Sequence, residues 1–250
     1  MTRLQVATAE VDAELAVFDK DGTLVDFHGV WGGRGKRAVA ALGDKVDAAL
    51  REALLLTMGV DTTSGRVDGR GILAQFPHQV IQERCLQTMV DAGIPRDRAD
   101  GMLSERFAIV MRAPPQPGEL LAIGDLAGLF AGLRAAGVSV GVLTTDDREA
   151  TLRTLAELAL AEAVPHIVCG DDPLPAKPEP DGLLQIAAAA GVSPQRTLMV
   201  GDTVTDMRAG RAAGCFCVAV TSGAGQAGEL RELADVVVDT VHDIHVLSAD

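Results

Sequence analysis

The chain has 250 residues, of which 48% are apolar and 3% aromatic, with no tyrosine, and its formal net charge is −13. That is ample material for a large packed core or for a core with an inserted smaller domain. The acidic balance and the scarcity of aromatic rings argue against a binder of phosphate backbones and against a stacking platform for single-stranded nucleic acid.

The opening stretch MTRLQVATAEVDAEL lacks the apolar segment of a signal peptide, and no uninterrupted apolar run is long enough to span a bilayer. The expectation is a soluble cytoplasmic protein with no membrane partner. The first strong element is 15-LAVFDKDGTLVDF-27. Its apolar start reads as a buried strand that runs into Asp19, Lys20 and Asp21 before Gly22 and Thr23 turn the chain. Two carboxylates two residues apart on a strand share one side, so Lys20 between them is expected to point away.

Residues 28–112 differ in texture. KRAVAALGDKVDAALREALLLTMGV and QVIQERCLQTMVDAG read as helical, with weak strand signals between them. The segment 112-RAPPQPGEL-120 holds three prolines and a glycine, which suits a hinge or linker. A helical insertion over 28–118 is expected, between a first core segment 1–27 and a second 119–250. Trp31 falls inside it, as do the cationic residues Arg34, Lys36, Arg66 and Arg70, which are candidate ligand contacts.

From 138 onward strand, turn and helix alternate. Strands are expected at 138–146, 166–170, 197–202, 216–220 and 235–239, and helices at 147–160, 180–191 and 206–214. Asp146 with Glu149 resembles a capping box for the first of these helices, and Gly191 closes the second. The fold class that follows is α/β, a parallel sheet with helices on both faces and a helical domain inserted after its first strand. Cys85, Cys169, Cys215 and Cys217 form no CxxC pair and read as reduced, buried thiols.

Open parallel sheets bind ligands at the carboxyl ends of their strands. The residues there are Asp19 and Asp21, then Thr144, Thr145, Asp146 and Asp147, then Lys177 in 176-AKPEP-180, and then 201-GDTVTD-206. Asp19, Asp21 and Asp202 in one small space repel unless a cation joins them, and hard oxygen donors favour Mg²⁺. Mg²⁺ in turn favours phosphate oxygens, which an ammonium and a threonine hydroxyl also hold. An aspartate is already ionised at neutral pH, so it attacks phosphorus without a base.

F-D-K-D-G-T-L, a strand-end threonine, K-P-x-P and G-D-x-x-x-D, in that order, resemble the four motifs of the haloacid dehalogenase-like superfamily. The resemblance covers about residues 12–27 and 119–245 and implies a Rossmann-like core with a helical cap, as in the subgroup of phosphoglycolate phosphatase and β-phosphoglucomutase. It implies roles residue by residue. Asp19 would be the nucleophile that forms an aspartyl-phosphate. Asp21 would be the general acid and then the base, and its carbonyl oxygen would join Asp19 and Asp202 on Mg²⁺. Asp206 would stand behind them or orient a metal-bound water. Thr144 and Lys177 would hold the phosphoryl oxygens, with Thr145 as the alternative to Thr144.

Within that family Asp21 speaks against a dehalogenase, and the ion-pump ATPases carry a threonine in its place. A phosphonate hydrolase would need a cap lysine able to form a Schiff base, and nothing marks Lys36 or Lys45 for that. The leading reading is a Mg²⁺-dependent phosphatase for a small-molecule phosphomonoester, phosphoglycolate-like or a sugar phosphate, acting as a monomer or homodimer. A phosphomutase is the alternative, followed by a non-catalytic metabolite-binding regulator. Arg66, a Gly-flanked arginine in 62-TTSGRVDGRG-71, is the candidate for a substrate carboxylate.

Overall fold

Four apolar residues in a row, Leu15–Phe18, have no polar side to turn to water, and in the computed structural model they form the centre of a sheet covered on both faces. The structure describes residues 2–76, 78–116 and 118–247. The described strands in chain order are β1 (Thr2–Val6), β2 (Ala9–Ala13), β3 (Leu15–Phe18), β4 (Ser139–Leu143), β5 (His166–Val168), β6 (Thr197–Gly201), β7 (Phe216–Val220), β8 (Val236–Val238) and β9 (Ile244–Val246).

Six of them form a parallel sheet in the order β5-β4-β3-β6-β7-β8. Phe18 of β3 stands opposite Val142 of β4 on one side and Val200 of β6 on the other. Side-chain alternation divides each strand between two cores. Ala16, Phe18, Val140, Val142, Leu198 and Val200 face one, with Leu126, Phe130 and Leu133 of the helix Leu126–Ala135. Leu15, Val17 and Met199 face the other, with Leu183, Ile186 and Ala187 of the helix Asp181–Ala190. The chain leaves β3 toward β4 and β5, then returns to the far side of β3 for β6. The strand order therefore reverses beside β3, and the carboxyl ends of β3, β4 and β6 lie next to one another at the switch point.

A second, antiparallel sheet of order β2-β1-β9 was not expected from the sequence. In TRLQV and AEVDA buried and more exposed residues alternate, so neither stretch presents a continuous apolar run. Leu4, Val6, Ala13 and Ile244 nonetheless join the first core. The boundaries elsewhere shift by small amounts, with one correction of substance. The helix expected at 147–160 spans Arg148–Glu157, its N-cap is Asp147, whose side chain makes no cap hydrogen bond, and its first N–H, that of Arg148, donates to Asp171 Oδ1 at 2.9 Å. Asp146 cannot serve as cap because its carboxylate is engaged by Lys20 and by the Asp147 N–H.

The described residues divide into two compact units, Met1–Asp26 with Ala122–Asp250, and Phe27–Leu121. All nine strands belong to the first. The second is helical: the helix Ala48–Met58 packs on His78–Asp91, with the Thr57 and Thr88 hydroxyls 2.9 Å apart. Asp47 caps Ala48–Met58 by accepting from the Leu50 N–H, and Gly59 ends it at φ +82°. Of the linker expected at 112–120, Pro117 lies outside the described residues, and Glu119 accepts from the Gln116 N–H and pairs with Arg37. The four cysteines are free and buried. Burial pushes the Cys85 and Cys215 thiols up to about 12. No described helix is long and apolar enough to cross a membrane.

Candidate active site

Asp19 is the first residue past β3, and its N–H donates to the Val200 carbonyl, so the ladder with β6 sets its place. The chain then turns. The Leu24 and Val25 N–H groups both donate to the Lys20 carbonyl, and Gly22 sits at φ +92°. A Cβ on Gly22 would stand 2.5 Å from Asp202 Oδ2, so only glycine lets this turn approach the carboxylate at the end of β6.

Asp202 is buried and held on both oxygens. Oδ1 accepts from the Thr23 hydroxyl at 3.3 Å and Oδ2 from the Ala224 N–H at 2.8 Å. The loop that supplies Ala224, 221-TSGAGQ-226, was not singled out in the sequence. Its Ser222 hydroxyl donates to the Gly22 carbonyl at 2.7 Å, which fastens it to the turn after β3. No charged residue or common motif marks this loop, so only its glycines hint at the close approach: a Cβ on Gly223 would meet Asp202 Oδ2 at 2.0 Å.

Asp206 lies in the first turn of the helix Val204–Ala213 and is fully buried. Its Oδ2 accepts from the Thr203 N–H and hydroxyl, closing a capping box in which the Thr203 hydroxyl accepts from the Asp206 N–H. Its Oδ1 accepts from Lys177 at 2.6 Å. The Lys177 ammonium, 4% exposed, also donates to Asp19 Oδ1 at 2.5 Å and to the Leu143 carbonyl at 3.1 Å. All three of its N–H bonds are thereby used, and Lys177 joins the ends of β3, β4 and the helix after β6.

Asp19, Asp202 and Asp206 each offer a carboxylate oxygen within 4.8 Å of the others. Burial raises the Asp19 carboxyl to about 7, against the pull of Lys177 and with the repulsion of Asp206 and Asp21 behind it. Burial, then repulsion from Asp19 and Asp206, raises Asp202 well above the usual carboxylate range. Burial opposes the charge of Lys177, but Asp19 and Asp206 outweigh it and its value rises. Three buried carboxyl groups beside one ammonium ionise together only when a further cation joins them, and their hard oxygen donors fit a divalent cation such as Mg²⁺.

Thr144, at the end of β4, is buried, and its hydroxyl oxygen accepts from the Asp146 N–H at 3.1 Å, leaving the hydroxyl hydrogen to donate elsewhere. Thr145 is exposed. Asp21 does not join the cluster of three. Its Oδ2 lies 2.6 Å from the Lys20 ammonium. The expectation that Lys20 points away is therefore corrected. Strand alternation ends with β3 at Phe18, and the turn that follows brings Lys20, 4% exposed, onto Asp21 and onto Asp146 at 3.0 Å. Arg66 belongs to the helical unit, is exposed, and stands 2.9 Å from His28 Nε2. In the same unit Arg34 lies over the Trp31 ring at 4.6 Å.

The family model for haloacid dehalogenase-like hydrolases matches residues 13–214. The chain is a haloacid dehalogenase-like hydrolase. Phosphoglycolate phosphatase from Escherichia coli K12 is 30% identical to this hydrolase over 243 residues, covering 93% of this chain and 91% of that one. Among solved structures, a predicted phosphoglycolate phosphatase from Haemophilus somnus has a TM-score of 0.65 at 17% identity, covering 91% of this chain and 94% of the other. A HAD family hydrolase from Deinococcus radiodurans, with bound phosphate and sodium, has a TM-score of 0.63 at 23% identity and 93% coverage of both chains. The structural likenesses show that this hydrolase shares the fold.

Proposed function

We propose that this hydrolase cleaves a small-molecule phosphomonoester, of the phosphoglycolate or sugar-phosphate kind, in two steps through an aspartyl-phosphate on Asp19. The observation that carries the reading is the buried Lys177 ammonium shared by Asp19 and Asp206, beside Asp202, at the switch point of the sheet. A Mg²⁺ held by Asp19, Asp202 and the Asp21 carbonyl oxygen would neutralise charge on the phosphoryl oxygens and lower the repulsion between ester and nucleophile. Asp206, with both oxygens engaged, would stand behind these ligands and fix Lys177, or orient a metal-bound water.

In the first step an Asp19 carboxylate oxygen bonds to phosphorus and the ester P–O bond breaks. Asp21 gives its proton to the departing oxygen. Lys177 and the Thr144 hydroxyl hold the phosphoryl oxygens, and Thr145, exposed on the same loop, is the lesser candidate. In the second step Asp21 takes a proton from water, whose oxygen bonds to phosphorus and releases Asp19 and inorganic phosphate. The helical unit selects the substrate and acts as a lid, with Arg66 as the group for a substrate carboxylate. The setting is the cytoplasm, as monomer or homodimer, without nucleic acid or membrane partner.

The test is phosphate release from a panel of small esters, phosphoglycolate included, with Mg²⁺ and with EDTA. Turnover that requires the metal and disappears in Asp19→Asn supports the reading, and metal-independent turnover or an active Asp19→Asn contradicts it. A phosphomutase would use the same core residues. It is recognised by sugar-phosphate isomerisation outrunning phosphate release.

A further inference from the structure

Lys20 separates the two aspartates of the first motif, and the two-step reaction assigns it nothing. Its position is nonetheless specific. The ammonium is buried, 2.6 Å from Asp21 Oδ2 and 3.0 Å from Asp146 Oδ2. Asp146 is itself fastened on three sides. Its Oδ1 accepts from the Asp147 N–H at 2.9 Å, its N–H donates to the Thr144 hydroxyl at 3.1 Å, and its carbonyl accepts from the Gly170 N–H at 2.8 Å. Lys20 therefore ties the Asp21 carboxylate to a rigid loop at the end of β4, the same loop that carries Thr144.

Burying an ammonium is costly unless it is well paired, and a lysine also surrenders side-chain entropy when it is held in one rotamer. An apolar side chain of similar length would fill the space without the cost of burying a charge. The pairing is explained by its effect on Asp21. That residue lies beyond the strand, in a turn, and among the described residues no other hydrogen bond or ion pair holds its carboxylate.

We propose that Lys20 is a positioning residue, which, with Asp146, clamps the Asp21 carboxylate in the orientation from which it exchanges protons with the leaving oxygen and with water. The proposal rests on the phosphatase reading. It makes a prediction that a merely structural lysine does not share, because the two steps depend on Asp21 differently for different esters. p-Nitrophenolate leaves without a proton, so formation of the aspartyl-phosphate from p-nitrophenyl phosphate does not need the acid. Hydrolysis of that intermediate still needs the base. An alkyl phosphate needs Asp21 in both steps.

The experiment is rapid-mixing and steady-state kinetics on the full chain with Mg²⁺, using p-nitrophenyl phosphate and an alkyl phosphate that the wild type hydrolyses. Lys20→Met should keep kcat/KM for p-nitrophenyl phosphate within about threefold and release about one equivalent of p-nitrophenolate in a burst. Its kcat should fall by about 10- to 100-fold, the usual effect of losing a group that orients a site residue. For the alkyl phosphate, kcat/KM should fall as well. Lys20→Arg should recover part of the loss.

Asp146→Asn removes a charge that is 26% exposed, and it should show the same pattern more weakly even where Lys20→Met folds poorly. Wild-type kcat in both Lys20→Met and Asp146→Asn overturns the proposal. So does an equal loss of kcat/KM on the two esters without a burst, because the lysine would then serve the fold or substrate binding. A wild type that releases phosphate from neither ester is a different failure, of the phosphatase reading on which the assignment stands.

Discussion

Burial pushes the Asp19 carboxyl up to about 7 even with the Lys177 ammonium against it. An acid whose folded value lies above its unfolded value of 3.8 binds more protons folded than unfolded between the two. Its contribution therefore makes stability fall as pH rises across that window, with the full cost present above it. Asp202, raised in the same direction, adds to the slope. Protein treated with EDTA should melt at a lower temperature at pH 8 than at pH 5. Added Mg²⁺ should raise the melting temperature at pH 8 and have little effect at pH 5, where protons compete for the same oxygens. Equal metal-induced shifts at the two pH values, read by differential scanning calorimetry, would contradict the assignment of these carboxylates as the metal site. Lys177 has the opposite sign. Its raised value stabilises the fold throughout the neutral range, and Lys177→Met strands two buried carboxylates. Urea denaturation of metal-free protein should show a loss of about 3 kcal/mol.

At the scale of single elements, the site is assembled by turns and caps rather than by strand alternation. Gly22→Ala should strain a backbone at φ +92° and press a methyl group onto Asp202. A stability loss of about 1–3 kcal/mol with a large fall in activity is expected, and it is checked by denaturation and turnover together. Thr203→Ala removes the cap of the helix Val204–Ala213 and one partner of Asp206. It should cost about 1 kcal/mol and lower kcat more than it changes KM. These elements also show what could be read from the sequence. The continuous apolar runs of β3, β4, β6 and β7 are visible because both their faces are buried, and the polar residues that follow them name most of the candidate site. The β1–β2 hairpin is not visible, because alternating residues leave no such run. The pairing of Lys20 with Asp146 is hidden for a different reason: 126 positions of sequence separation do not reveal that two turns meet, and the rule of alternation fails where the strand has ended.

For the whole molecule, the ends of the strand-bearing unit meet where the helical unit departs. Val25 bridges Ala122, and the Ile123 N–H donates to the Leu24 carbonyl at 2.9 Å. Replacing residues 27–121 by a short glycine-rich turn should therefore leave the sheet able to fold, as read by a cooperative melt. Under the proposed division of labour, the shortened protein should keep weak hydrolysis of p-nitrophenyl phosphate and lose discrimination among natural esters. A shortened protein that folds and ranks esters as the full chain does would remove substrate selection from the helical unit. The proposed reaction phosphorylates Asp19. The most direct test is to quench the full protein in acid during turnover with Mg²⁺, reduce it with borohydride and sequence the peptide containing residue 19. Homoserine at position 19, the product of reducing an aspartyl-phosphate, is the expected result. Aspartate intact at 19 in a protein that was steadily releasing phosphate, with the intermediate shown to be present at the time of quenching, would place the phosphoryl group on another residue and contradict it.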